Sequence, residues 1–247
     1  MQPLRWTAAG LLLLSLWCVG VEHRADEPPV EEPAPTGAPE DVLPERHREW
    51  LADVKPLISE VEREVFLGLD ADFRRDAFVR KFWQTRDPFP DTARNELKER
   101  WDGRVEMARE RFGGLDNERA RMVLLFGEPS RSFRVPCQIL RGTPEVWLYH
   151  DGAPPVVPGA FSLVFAGVGV GAERLWRPIS GLGGLMSAGR GIGASDQQLA
   201  RVIANECTRG GELLSALAQY LDVEQMRERG PLFPTPGPEW VRTFEAR

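Results

Sequence analysis

The stretch FWQTRDPFPDT, Phe82 to Thr92, limits what this chain can fold into more than any other. Proline lacks a backbone N–H and pushes the residue before it out of helical space, so Pro88 ends a preceding helix at Asp87. Pro90 stiffens the next step. Upstream, Phe73, Phe78 and Phe82 make an apolar stripe on a helix that starts at Asp70 or Asp72. Downstream, Leu97, Trp101, Val105, Ala108 and Phe112 recur at spacings of 4, 4, 3 and 4, which predicts an amphipathic helix. Asp91 or Thr92 is its expected N-cap, Glu96 lies near its positive dipole end, and Gly113-Gly114 closes it. The stretch therefore reads as a joint between two helices. Phe82, Trp83 and Phe89 bury it, and Arg86 pairs with Asp87, Asp91 or Glu96. A second reading makes Asp87, Asp91 and Glu96 the acid–base cluster of a hydrolase, which requires them together in a cleft.

The flanking patterns set the fold class. Ser59-x-x-Glu62 is a capping box opening a helix that buries Val65, Phe66 and Leu69. After Gly114 the period shortens. RMVLLFGEP (121–129) reads as a strand stopped by Gly-x-Pro. EVWLYHDG alternates Val146, Leu148 and His150 against Trp147 and Tyr149, FSLVFAG alternates Phe161, Leu163 and Phe165, and ERLWRP supplies a fourth run. The class is α+β: N-terminal helices, a small antiparallel β-meander of three or four strands, then C-terminal helices. Residues 178–193 form a Gly-rich linker. Residues 194–229 form two helices broken at Gly210-Gly211, and 230–247 a Pro-rich tail. If the domain completes its fold only on docking, 194–229 expose an apolar helix face.

Residues 1–20 carry Arg5 and an apolar run from Ala8 to about Val19, too short for the roughly 18 to 20 residues of a membrane span. They read as a signal peptide cut after Gly20. An uncleaved anchor, or a lipidated Cys18 despite bulky Trp17, is the alternative and would hold the chain near a membrane. Residues 21–45, with DEPPVEEPAPTGAPEDVLPE, are an acidic Pro-rich tether; its last twenty residues reach about 60 Å at ~3.1 Å per residue. Beyond the signal, Cys137 and Cys207 remain, a candidate disulfide in an oxidising compartment; Cys207 also falls in line with Leu199 and Ile203, where a free, buried thiol fits. A net charge of -6, with basic residues interleaved among acidic ones, argues against a nucleic-acid partner. The three histidines, His23, His47 and His150, form no zinc spacing. Gly189 to Ala194 matches a loose dinucleotide fingerprint without the βαβ context, and Ser187 is not in a nucleophile elbow. No cofactor, metal or catalytic set is expected.

WLADVKPLISEVEREVFLGL, FVRKFWQTRDPFPDTARNELKERW, RVEMARERFGG and RARMVLLFGEPS together resemble the GWxTD-domain family of exported bacterial proteins. The residues carrying the likeness are Phe82, Trp83, Arg86, Asp87, Pro88, Pro90, Thr92, Asn95, Glu96, Arg119, Gly127, Pro129, Trp147 and Tyr149. It covers roughly residues 50 to 177, within a GWxTD-like domain at 46–177. The naming turn departs from the pattern: Leu115, Asn117 and Glu118 stand where the family has Trp, Thr and Asp. The resemblance implies an architecture and a compartment, not a reaction. The order LLFGEP, EVWLYH, FSLVFAG also resembles the sheet of small outer-membrane lipoproteins serving barrel assembly. Together these features lead us to expect a periplasmic or envelope protein whose domain presents a surface, Trp176 and the Gly-rich segment included, to another envelope protein. Recovered from the envelope fraction, the chain should begin at Val21 by N-terminal sequencing; recovery from the cytosol with residues 1–20 intact would refute export.

Overall fold

Helix caps written into the sequence set most of the first half of the molecule. The computed structural model describes residues 40–150, 159–167, 173–229, 233, 236–237 and 239–245, all within one compact unit. The signal, Cys18, His23 and most of the tether lie outside the described residues. Helix α1 spans Glu45–Val54, α2 Glu60–Gly68, α3 Asp72–Gln84, α4 Glu96–Phe112 and α5 Glu118–Phe126. The Ser59 hydroxyl accepts the Glu62 N–H, and the Glu62 carboxylate accepts the Ser59 N–H at 2.8 Å, completing the capping box. Gly113 closes α4 in the left-handed region, φ 71°, which glycine adopts without strain.

Four strands follow: β1 Arg131–Arg134, β2 Glu145–Tyr149, β3 Phe161–Gly167 and β4 Glu173–Leu175. They form one antiparallel sheet in the order β1-β2-β3-β4. Period-2 alternation divides the side chains between two cores. Trp147, Tyr149, Phe161, Leu163 and Phe165 face the N-terminal helices, with Tyr149 and Phe161 stacked across the strands at 4.6 Å. Val146, Val164 and Ala166 face the other way, onto α6 (Asp196–Glu206) and α7 (Gly210–Ala218). Leu199, Ile203, Leu213 and Ala216 are buried there, so 194–229 do not leave an apolar face open. The α+β order of helices, meander and helices is the observed one.

Several local expectations differ. RMVLLF is helical, not a strand: Asn117 caps α5, and residues 122–126 are all buried between α4 and the sheet. A helix buried all round has no polar face, so its apolar run mimics a central strand. The first strand is RSFR, 131–134, so the likeness to the lipoprotein sheet fails at its first member. The tether's last residues join the body, since Leu43 is buried and Arg63 bonds Glu40. Residues 194–229 hold three helices rather than two, the third being α8 (Val223–Arg229). In the tail, α9 (Glu239–Glu245) inserts Trp240 and Val241, and Trp240 packs 4.9 Å from Phe78. The Gly-rich segment is more than a linker: two 3₁₀ turns, Pro178–Ser180 and Leu182–Leu185, bring Leu185 and Met186 into the second core. Phe73, at the start of the supposed stripe, is 73% exposed.

A disulfide joins Cys137, in the β1–β2 connection, to Cys207 at the end of α6. It closes a loop with a sequence separation of 70 residues. Chain-entropy reasoning puts its contribution near ~4 kcal/mol. Cys207→Ser, or reduction of the parent, should lower urea-unfolding stability by up to about that amount; an unchanged midpoint under reductant would show that the crosslink does not stabilise the fold.

Candidate functional site

The Phe82–Thr92 joint is built around an ion pair between Arg86 and Glu62, not one of the nearby carboxylates expected from the sequence. The Arg86 side chain is 2% exposed and that of Glu62 4%, with Nη2 lying 2.7 Å from both carboxylate oxygens. Arg86 also donates to Phe82 O at 3.3 Å and Leu57 O at 3.5 Å, and its guanidinium lies 3.7 Å from the Phe82 ring centre. Burial lowers its pKa, against the raising effect of the Glu62 hydrogen bond. Asp87, Asp91 and Glu96 are therefore not its partners. Asp87 accepts the Phe89 N–H at 2.9 Å, an Asx turn across Pro88. The Thr92 hydroxyl lies 2.8 Å from Arg94 O and 3.3 Å from the Glu96 carboxylate.

The cap of α4 is neither Asp91 nor Thr92 but Asn95. Its side chain accepts the Lys98 N–H at 2.8 Å and donates to Trp83 O at 2.7 Å, clamping α4 to the end of α3. Helix α3 stops at Gln84, three residues before the proline-imposed limit. Phe82 and Trp83 are buried, whereas Pro88, Pro90, Asp91 and Phe89 stand on the surface, Phe89 at 58% exposure. The stretch is architectural.

Around the turn at 114–119 the side chains meet the sheet. Asn117 accepts the Ala120 N–H at 2.8 Å and the Glu118 carboxylate accepts the Leu175 N–H of β4. Arg119 bonds Glu145 at 3.0 Å and lies 5.0 Å from the Phe165 ring centre. Trp147 Nε1 donates to the same Glu145 at 2.8 Å, so Arg119 and Trp147 converge on it. Tyr149 Oη lies 3.2 Å from Gly127 O, and burial raises its pKa. Gly127 has φ 79°, and a Cβ there would meet Arg104 Nη2 at 3.3 Å. Arg104 donates to Leu124 O and Leu125 O at 3.0 and 3.1 Å, satisfying carbonyls at the α5 C-terminus. No local pattern singles out Arg104, because its partners lie 20 residues away. Pro129, half-buried, follows Gly127 into β1.

Among the described residues these contacts assemble no nucleophile–base–acid set. His47 is buried and bonds Asp76 at 2.8 Å, and His150 is exposed, its N–H held by Ser130. Ser187 and Gly189–Ala194 make turns before α6. Among the described residues no group of three His, Cys, Asp or Glu could hold a metal.

Two hollows open on the side of the second core. One, of about 600 Å3, lies beside the disulfide, with Cys137, Gln138, Thr143, Arg190 and Glu206 on its walls. The other, of about 260 Å3, lies at the β4 edge between Arg174, Trp176, Arg177 and Glu118. There Trp176 Nε1 donates to Gly181 O at 3.1 Å, and the Tyr220 ring stands edge-on at 5.0 Å with its hydroxyl bonded to Trp176 O. Beside it Ile179 is 93% exposed; Ile192, on the same segment, is 87% exposed.

No family model, curated protein or solved structure matches this chain.

Removing one partner of a buried ion pair strands the other. Arg86→Met should therefore cost about 3–5 kcal/mol in urea unfolding, and Arg86→Met with Glu62→Gln should recover a large part of the loss. A single variant within ~1 kcal/mol of the parent, the ordinary range of a surface substitution, would contradict this role for the pair.

Proposed function

We propose that this chain is an exported envelope protein of GWxTD-like type whose α+β body is a non-catalytic protein-interaction or assembly module. The observation that carries the reading is the exposure of Ile179 and Ile192. Both stand on the segment between the sheet and α6, while neighbouring Leu185 and Met186 are buried. An isoleucine left almost wholly in water contributes nothing to the fold. Covered by a partner, it contributes about 1.5–3 kcal/mol. Trp176 sits at the start of this segment with its indole N–H and backbone carbonyl already bonded, so its position is set before any partner arrives. The turn favours the same reading over a hydrolase, because Asp87 is spent on the Phe89 N–H, one Glu96 oxygen lies 3.3 Å from the Thr92 hydroxyl and Asp91 stands on the surface. An unidentified envelope protein is the expected partner.

Photo-crosslinking residues placed at 179 and 192 in cells should give an adduct with one envelope protein. The same residue at Arg80, on α3, should give none, and Ile179→Asp with Ile192→Asp should abolish co-purification of that protein. Absence of an adduct at both isoleucines, with the protein folded and exported, would refute the reading.

A further inference from the structure

We infer that the hollow at the β4 edge binds an acidic segment of the partner protein, an Asp or Glu side chain entering between Arg174 and Arg177 and an apolar neighbour covering Ile179. This inference rests on the interaction surface proposed above and specifies its chemistry.

Charge points to an acidic occupant. Arg174 and Arg177 are exposed, and neither makes an ion pair or side-chain hydrogen bond with another described residue. Other exposed arginines, such as Arg190 and Arg201, also lack a carboxylate partner among the described residues; Arg174 and Arg177 differ in lining one hollow together. Among the described residues lining the hollow the one acidic group, Glu118, already accepts the Leu175 N–H. In the described lining two guanidinia stand against one carboxylate, beside the apolar surfaces of Trp176 and Leu175, with Asp222 and Glu224 further off near Tyr220.

Shape and context narrow the source. A space of about 260 Å3 takes a side chain, not a helix or a folded surface. Strand addition at this edge is blocked where Glu118 occupies the Leu175 N–H, so recognition runs through side chains. A free small anion would leave Ile179 in water. A phosphate polymer would meet Glu118 and a chain of net charge -6. A second copy docking through the same patch would set Arg against Arg across a two-fold axis.

The test uses the full mature chain and three labelled twelve-residue probes read by fluorescence anisotropy: alternating Glu and Val, alternating Gln and Val, and alternating Lys and Val. The Glu probe should bind at least about tenfold more tightly than the Gln probe, and more weakly as salt rises. Arg174→Glu with Arg177→Glu should weaken it by about tenfold or more, since two exposed attractions become repulsions, while circular dichroism stays unchanged. Ile179→Asp should weaken both the Glu and Gln probes. Equal binding of the Glu and Gln probes, tighter binding of the Lys probe, indifference of the Glu probe to the arginine reversal, or no binding at millimolar concentration overturns the inference. Equal Glu and Gln binding that Ile179→Asp still abolishes overturns the acidic specificity alone and leaves the interaction surface standing. Failure of the crosslinking at 179 and 192 removes the surface itself. Sedimentation of the free chain separates self-docking, which would also refute the inference.

Discussion

Taking a guanidinium out of water costs several kcal/mol, and this chain does so at Arg86. The burial holds only because Glu62 waits there with its geometry already decided. One carboxylate completes the capping box of α2 and receives Arg86 from beyond the end of α3. The same guanidinium reaches Leu57 O, in the link between α1 and α2. Three turns of chain are thus held to one charge pair. The aromatic packing of Trp50, Phe66, Phe78 and Phe82, with ring centres 4.8 to 6.2 Å apart, fills the space that this arrangement leaves. Asn95 extends the logic by capping α4 and holding Trp83 O, so the helical layer is registered by polar groups and filled by aromatic ones.

The sheet depends on that layer, because its strands are short and both faces are apolar. Trp147 and Phe165 need the N-terminal helices; Val146 and Val164 need α6 and α7. Arg119 and Glu145 pin one side, and the Cys137–Cys207 bond ties α6 to the β1–β2 connection on the other. With both faces covered, the described surface offers its edges and the 178–193 segment for contact. There stand the exposed isoleucines and two arginines with no ion-pair partner among the described residues.

Patterns confined to one turn of chain were legible. The Ser59 capping box, the α4 stripe, the Gly113 stop and the alternation of β2 and β3 each follow from neighbours within about four residues. The proline joint was legible as a joint, but its pairing was not. Asp87, Asp91 and Glu96 are near in sequence, whereas Glu62 is 24 residues away. RMVLLF misled because burial on every side erases the helical period. The residues 239–245 were masked by flanking prolines, although Trp240, Val241 and Phe244 share a helix face.

Local sequence by itself determined the Ser59 capping box, the Gly113 stop, the α+β order and the two-faced alternation of the strands, because caps, prolines and side-chain periodicity act within a single element. Only the tertiary structure decided which carboxylate neutralises Arg86, that Arg119 and Trp147 share Glu145, that the tail and the Gly-rich segment enter the cores, and that Arg174 and Arg177 flank one hollow. Those outcomes depend on which distant elements exclude water together, and no spacing along the chain encodes that.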